Sequence, residues 1–561
     1  MLFPTFDFLL FALPVLVGFW ALSGRPVARV AFLTAASYFF YMAGPKTDPP
    51  PAPWYFAGLL LVSTTLDFIC GQKIHALSQR AKAAGKSDPV AALANRGRNR
   101  WLMLSMVGNL GLLGYFKYTN FLIQAFSDVA ASMNIFVPAL HLDVVLPLGI
   151  SFYTFQSLSY TLDIWRGKLE PETSFARFAL FVAFFPQLVA GPIVRASEFL
   201  PQLRRGPSFS RDNFESGAFR IVRGLAKKVV LGDWVASQLS DVIFDAPGTF
   251  TSAELLLALY GYTLQIYADF SGYSDIAIGL GLMLGFKLPE NFDRPYQSLD
   301  IAEYWRRWHI TLSSWLRDYL FFQVLAKFGA RAGYFAVWLT MFLVGMWHGA
   351  SWNFVIYANI HAAAMVFNRW NRTRQNKNKK LKKKGKHKPL PLRLVYWSVG
   401  TAVGFALGAG LVHTFLHLPW PQAAGLAGFG TIVLLGVCAL PIKGGKLVVF
   451  AHIFLTFHLI VLSRIFFRAP DLDTARAFVE GLVALNTEHL IRPGLVSIWV
   501  YAALVGGLVL HFTPKRWVDE TLMKLFRRTP GVLLGLAFVA LCYGLMLLLQ
   551  GAPRAFIYFQ F

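Results

Sequence analysis

Residues 333–370 read GYFAVWLTMFLVGMWHGASWNFVIYANIHAAAMVFNRW. Two apolar runs, 333–347 and 351–370, flank His348, with Trp347 before it and Gly349 after it. A spanning helix needs about 20 mostly apolar residues, so the pair reads as membrane helices meeting at a histidine. An ionisable side chain among such helices is costly to bury. His348 is therefore either a satisfied structural residue or a working one. As a working residue it suits a general base, because burial keeps the ring neutral and able to accept a proton. Gly349 and Ala350 are expected to leave room for a substrate at the ring.

The pattern extends along the chain. Apolar runs lie near 6–22, 30–43, 54–76, 101–126, 143–165, 217–244, 253–286, 393–417, 425–441, 446–467, 495–512 and 531–549. Some are short or interrupted by Gly or Pro, which gives about 11–14 crossings. The run 175–192 breaks at Pro186 and again at Gly191-Pro192. It reads as a re-entrant or broken helix, whose freed backbone groups need protein or a water-filled cavity around them. The 561 residues are 56% hydrophobic and 15% charged, with a mean hydropathy of +0.49. A soluble chain carries about 25% charged residues. An ordinary soluble enzyme and a disordered chain are both excluded, and one polytopic all-α membrane domain over 1–561 is expected.

The net charge of +24 does not imply nucleic acid. Lys and Arg cluster between apolar runs, at 25–29, 80–100, 204–228, 371–393 and 515–528, as the positive-inside rule produces. Placing these loops in the cytoplasm puts the N-terminus outside, and with an even number of crossings the C-terminus too. The tract NKNKKLKKKGKHK at 376–388 reads as part of a basic cytoplasmic loop, 371–392, touching anionic lipid or an acidic carrier protein. Cys70, Cys438 and Cys542 lie in apolar runs without metal-ligand spacing, so neither a metal site nor a disulfide framework is expected. The start MLFPTFDFLLFALP lacks the basic region and cleavage site of a signal peptide.

Two further stretches carry chemistry. In DIAEYWRRWHITLSSWLRDY (300–319), Trp305, Trp308, Leu312, Trp315 and Tyr319 recur at helical steps and share one face. This reads as an interfacial amphipathic helix with His309 on its flank. Its arginines Arg306, Arg307 and Arg317 are either anchors or a grip on a phosphate-bearing donor, whose geometry guanidinium forks match. In 259–296, Asp269 and Asp275 lie in a Gly-rich run of spanning length, where structural pairing with an arginine or with backbone N–H groups is expected. Gly272, Gly279, Gly281 and Gly285 permit close helix packing. His361, His413, His417, His452 and His458 also sit in apolar runs and read as structural.

FFPQLVAGPIVRASEFLPQL (184–203), YADFSGYSDIAIGLGLMLGFKLPENFDRPY (267–296), YWRRWHITLSSWLRDYL (304–320), WHGASWNFVIY (347–357) and SRIFFRA (463–469) together resemble the membrane-bound O-acyltransferase family. The likeness is to its bacterial branch, with the alginate O-acetylase membrane subunit and the D-alanyl transferase of teichoic acids. It is strongest over 184–370, the expected catalytic core. It implies transfer of an acyl group, acetyl above all, from a cytoplasmic thioester to a hydroxyl of an extracytoplasmic polysaccharide or cell-wall glycan.

The family's histidine in Trp-His-Gly falls on His348, and that in Arg-Trp-His on His309. Acetyl-CoA or another acyl thioester would be co-substrate, with no bound cofactor. Asn353 or a backbone N–H is a candidate donor to the thioester oxyanion. The ending FIYFQF (556–561), in an extracytoplasmic tail from 550, resembles a family motif whose tyrosine is proposed to carry the acyl group. Tyr558 is the matching hydroxyl, in competition with a plain aromatic-belt role. An extracytoplasmic serine-esterase-like partner and an inner-membrane location are implied in the same way. One departure is FFQVLAKFGARAGYF at 321–335, where alginate-type members carry a Pro-Leu-Gly-Gly-Asn-Arg-like stretch.

Overall fold

In the computed structural model the apolar runs fold as helices, and no strand occurs among the described residues. Those residues are 5–43, 53–85, 88–137, 144–383, 445–484 and 490–548, with Phe3, Leu140 and Leu142. The lysine-rich tract from 384, the runs 393–417 and 425–441, His413, His417, Cys438 and Tyr558 lie outside them. The principal helices are α1 (Phe6–Ala21), α2 (Pro26–Met42), α3 (Pro53–Ala84), α4 (Pro89–Leu113), α5 (Thr119–Ser132), α6 (Ile150–Trp165) and α7 (Phe175–Ala183). There follow α8 (Ala196–Arg205), α9 (Arg211–Ala226), α10 (Ser252–Met283), α11 (Ile301–Arg307), α12 (Ile310–Leu316) and α13 (Gly333–His348). The last are α14 (Trp352–Lys383), α15 (Lys446–Arg468), α16 (Leu472–Val483), α17 (Ile498–Phe512), α18 (Lys515–Arg528) and α19 (Gly531–Leu548). Their starts follow local chemistry. The side chains of Thr5, Asp88, Ser174, Ser210, Asp300 and Asp471 accept from backbone N–H groups of the first turn, satisfying donors that a helix leaves open.

Among the described residues, three helices are long and apolar enough to cross a membrane by themselves, at Trp54–Ala84, Ala330–His348 and Lys446–Arg468, with a fourth if α17 and α18 count together. Two of the expected runs, 393–417 and 425–441, lie outside the described residues, and several of the others do not qualify singly. The reasons are local: α1 has 16 residues, the run 101–126 changes to a π-turn at Gly114–Tyr118, and 217–244 passes into π-helical turns from Lys227. Helix α10 is long enough but carries Glu254, Asp269 and Asp275. The basic segment expected as a loop from 371 instead continues α14 to Lys383. Lys, Arg and Gln are good helix formers, and the first Gly comes only at 385.

Two units make up the chain: Met1–Val229 with Asp269–Asn291 and Asp519–Phe561, and Val230–Ala268 with Phe292–Val518. In the first, α3, α4 and α6 pack together and are laced by buried polar side chains. Ser105 Oγ donates to Asp67 Oδ1 at 2.6 Å, Asn109 Nδ2 donates to both Asp67 oxygens, and Ser63 Oγ donates to Asn109 Oδ1. Such hydrogen bonds hold helices together where lipid removes the hydrophobic drive. The run 175–192 breaks as the sequence predicts: α7 stops at Ala183 and a single turn, Phe185–Leu188, follows. The freed groups find partners, since Phe185 N–H donates to Ser37 Oγ at 3.2 Å and Gln187 Nε2 to Phe181 O at 2.9 Å.

The end of α10 in this unit packs closely on α9. A Cβ on Gly272 would lie 2.7 Å from Gly224 O, and one on Gly279 2.6 Å from Gly217 O. Both aspartates there are paired: Asp275 with Arg220, Arg223 and Lys227, and Asp269 with Lys228 at 2.8 Å.

The second unit is built on the hairpin of α13 and α14, with α15 against α14 and α16 against α15. The hairpin closes tightly because Gly345 faces Ala358, whose Cβ would collide with any side chain added at the glycine. The stretch 300–319 is not the single interfacial helix that its periodicity predicts. It breaks between α11 and α12, where His309 takes a left-handed conformation at φ 43°. Trp305, Trp308, Leu312, Trp315 and Tyr319 are all buried rather than laid on a surface.

Candidate active site

His348 is the last residue of α13, and Gly349 leaves the helix in an extended conformation. Contrary to the expectation from the sequence, the space at Gly349 is not open to a substrate. The Phe354 ring fills it, standing where a Cβ would have to sit. The hairpin is thereby folded over the histidine, which is 2% exposed. Its ring packs against Trp347, Phe467 and Tyr357, with centroids at 5.1, 5.1 and 6.2 Å.

His309 is reached from a different direction. The left-handed backbone at the α11–α12 break turns its ring against Trp347, at 5.3 Å. Histidine is among the residues that visit this conformation more readily than most. Two buried imidazoles, one at the end of α13 and one at the α11–α12 break, therefore share one tryptophan as neighbour.

The same unit holds a cation that the sequence reading did not single out. Arg464, on α15, is 0% exposed, and no carboxylate pairs with it among the described residues. Its Nη2 donates to Tyr304 Oη at 2.9 Å and its Nη1 faces Tyr357 Oη at 3.5 Å. The guanidinium carbon lies 4.8 Å from the Trp308 ring centre and 5.3 Å from that of Phe467. Ring faces attract cations electrostatically, and this setting accepts a charge without neutralising it. Its Nε has no hydrogen-bond partner among the described residues. Phe467 and Tyr357 border both Arg464 and His348, so an imidazole base and an uncompensated cation occupy neighbouring places. The signal was present in SRIFFRA, as an arginine inside an apolar run.

The other candidates occupy different positions. Asn353 Nδ2 donates to the carbonyls of Ala469 and Asp471, at 2.8 and 2.9 Å, and so ties α14 to the end of α15. Arg307 is engaged with Glu303 at 2.8 Å and Arg317 with Asp318 at 2.8 Å, while Arg306 is exposed. Arg307 and Arg317 are thereby held by neighbouring carboxylates, and none of the three arginines contacts either histidine among the described residues. His361 donates to or accepts from Ser463 Oγ at 3.0 Å and packs on Tyr357, as a structural histidine does. His458 likewise contacts Tyr260 Oη at 2.6 Å. Asp269 and Asp275 belong to the other unit and are held by lysine and arginine there.

Residues 170–399 match the membrane-bound O-acyltransferase family. The chain is similar to the probable alginate O-acetylase AlgI of Pseudomonas aeruginosa, 39% identical over 372 residues that cover 66% of each chain. It is similar to a peptidoglycan O-acetyltransferase of Helicobacter pylori, 35% identical over 66% of this chain and 70% of that one. It also resembles a teichoic acid D-alanyltransferase of Bacillus subtilis, 30% identical over 40% of this chain and 60% of that one. The matched part spans about two thirds of the length of the first two relatives. With its helical build, its buried histidines and these matches, the chain belongs to the membrane-bound O-acyltransferase family and is a membrane O-acyltransferase.

Proposed function

We propose that this enzyme takes an acetyl group from a cytoplasmic thioester, acetyl-CoA, and passes it toward a hydroxyl of an extracytoplasmic polysaccharide or cell-wall glycan. The observation that carries the reading is the buried His348 beside the uncompensated Arg464. His348 takes the proton of the attacking hydroxyl as its oxygen bonds to the thioester carbonyl carbon. The carbonyl oxygen gains negative charge, and Arg464 is the cation nearby to offset it. Collapse breaks the C–S bond, and the departing thiolate takes the proton from the imidazolium. Atoms and charge balance, and neither a metal nor a redox step is needed. His309 supports the path to this centre across Trp347.

An acetyl donor is favoured because the more similar relatives bear O-acetylase and O-acetyltransferase names, at 39% and 35% identity, against 30% for the D-alanyltransferase. In this reading Tyr558, outside the described residues, receives the acetyl group first. An extracytoplasmic serine-esterase-like partner at the inner membrane then takes it onward.

The test is reconstitution in proteoliposomes with labelled acetyl-CoA, followed by mass spectrometry of the acceptor glycan and of the C-terminal peptide. Label on the glycan with wild type, and none with a correctly inserted His348→Ala, is the expected result. Label that depends only on a carrier-protein thioester overturns the acetyl-CoA donor. Unchanged glycan acetylation with His348→Ala overturns the enzymatic role of the histidine and favours a scaffold.

A further inference from the structure

The first unit contains a cleft of about 840 Å³ that the acyl-transfer reading does not use. Arg29, Arg177, Arg204 and Arg205 line it. Glu172 neutralises part of this charge, pairing with Arg177 at 2.7 Å and with Arg204 at 2.8 Å. Neither Arg29 nor Arg205 has a carboxylate partner among the described residues. Arg29 is only 6% exposed. It donates from Nη1 to Pro207 O at 3.2 Å and lies over the Phe19 ring at 5.1 Å. A guanidinium buried that far without a counter-charge is costly, and an anion in the cleft would offset it.

Backbone adds to the positive field. Helix α2 begins at Pro26, beside the cleft, and its N-cap residue Arg25 supplies no side-chain acceptor to the first turn. The first turn of this 17-residue helix therefore lies at the edge of the cleft without a side-chain cap, and helix N-termini favour anions. The floor is apolar, formed by Phe19, Leu180 and Phe286. At the rim, Val27 is 82% exposed and Phe209 60% exposed. Large apolar residues exposed beside arginines match an amphiphile, whereas a soluble phosphate would gain nothing from them. By the charge rule, 25–29 and 204–228 are expected on the cytoplasmic side, where anionic lipid faces protein.

We infer that this cleft binds the phosphodiester headgroup of an anionic phospholipid, with Arg29 and Arg205 as its principal contacts and the aromatic floor receiving the upper acyl chain. The inference is independent of the acyl-transfer reading, because none of these residues lies in the histidine site.

The test uses the full chain in nanodiscs of phosphatidylglycerol diluted into phosphatidylcholine. Co-purified lipid is measured by native mass spectrometry after detergent extraction. Wild type is expected to retain phosphatidylglycerol over phosphatidylcholine. Arg29→Gln and Arg205→Gln are each expected to lower that retention about tenfold, the order for one lost charge-assisted contact. Arg205 is exposed and has no ion-pair partner among the described residues, so Arg205→Gln leaves folding intact and keeps the test decisive should Arg29→Gln misfold. Equal retention of the two lipids, or retention indifferent to Arg205→Gln, overturns the inference. Displacement by soluble coenzyme A or glycerol phosphate, with no preference for phosphatidylglycerol, overturns the lipid in favour of a soluble phosphoryl ligand.

Discussion

Arg464 donates to Tyr304 Oη at 2.9 Å in a place that water does not reach. The phenol accepts the bond but brings no negative charge, so the cation stays available to a reacting group. Breaking a buried ion pair strands its partner, whereas an apolar side chain in place of an uncompensated buried charge is often neutral or stabilising. Arg464→Met is therefore expected to insert and to unfold no more readily than wild type. Its transfer rate is expected to fall roughly 100-fold, the order seen when an oxyanion donor is lost. Tyr304→Phe, which removes an acceptor from the guanidinium, is expected to cost about 2 kcal/mol of stability. In the Arg464→Met background the same change should cost almost nothing, and a double-mutant cycle by thermal unfolding checks this. A strongly destabilised Arg464→Met with an undiminished rate per folded molecule would make the arginine structural.

The two imidazoles that flank Trp347 separate by substitution. Loss of a general base costs about 10²–10⁴ in rate, which is the range expected for His348→Ala at unchanged insertion. At His309 the backbone complicates the reading, because φ is 43° there. Alanine in the left-handed region is penalised by roughly 1–2 kcal/mol, and glycine is not. His309→Gly is thus expected to be more stable than His309→Ala, and both variants to lose transfer. Full activity in His309→Gly would show that the position needs only the turn, not the ring.

Much of this was legible in the sequence, for reasons that can be named. His348 stood out because a polar ring between two apolar runs has no cheap explanation, and the break near Pro186 because proline leaves backbone groups unsatisfied. Pairing of Asp275 was legible from the cost of a buried carboxylate. Its partners were not, since Arg220 and Arg223 lie 55 and 52 residues away. The turn at His309 was hidden because Trp305, Trp308, Leu312, Trp315 and Tyr319 keep helical spacing straight through it. Periodicity reports a face and is silent about one residue that reverses the chain. Arg464 was overlooked because an arginine near the end of an apolar run reads as a snorkelling anchor. Only the packing of Tyr304, Trp308 and Tyr357 around it shows that it points inward.

Gly349 makes a prediction about packing. Its φ of −161° is ordinary extended backbone, so any strain on substitution comes from space alone. A methyl group there would collide with the Phe354 ring. Gly349→Ala is expected to destabilise by about 1–3 kcal/mol, as overpacking does, and to displace the neighbouring His348. Phe354→Leu removes the colliding ring edge and is expected to recover part of the loss when combined with Gly349→Ala. Thermal unfolding of the single and double variants, with transfer assays alongside, reads both effects. Additive losses in the double variant would show that the two sites do not share the space.

Glu172 ties acid stability to the first unit. Its side chain is fully buried in the loop after α6. Burial by itself would raise the carboxyl's pKa. Hydrogen bonds from Arg177, from the Ser174 N–H and from Arg204 outweigh it and hold the group below its ordinary value of 4.5. A carboxyl depressed in the folded state contributes stability that is present above its unfolded pKa and lost as pH falls through the folded value. The loss is therefore expected to begin below about pH 4.5. Arg177 and Arg204 are partly exposed, so salt screens the effect and shrinks it at high ionic strength. Glu172→Gln is expected to unfold at lower temperature than wild type at neutral pH, with the gap closing as the solution is acidified. Unfolding of the detergent-solubilised protein across the acid range checks it, and a gap that stays constant with pH would mean that the pair is not ionised in the folded protein.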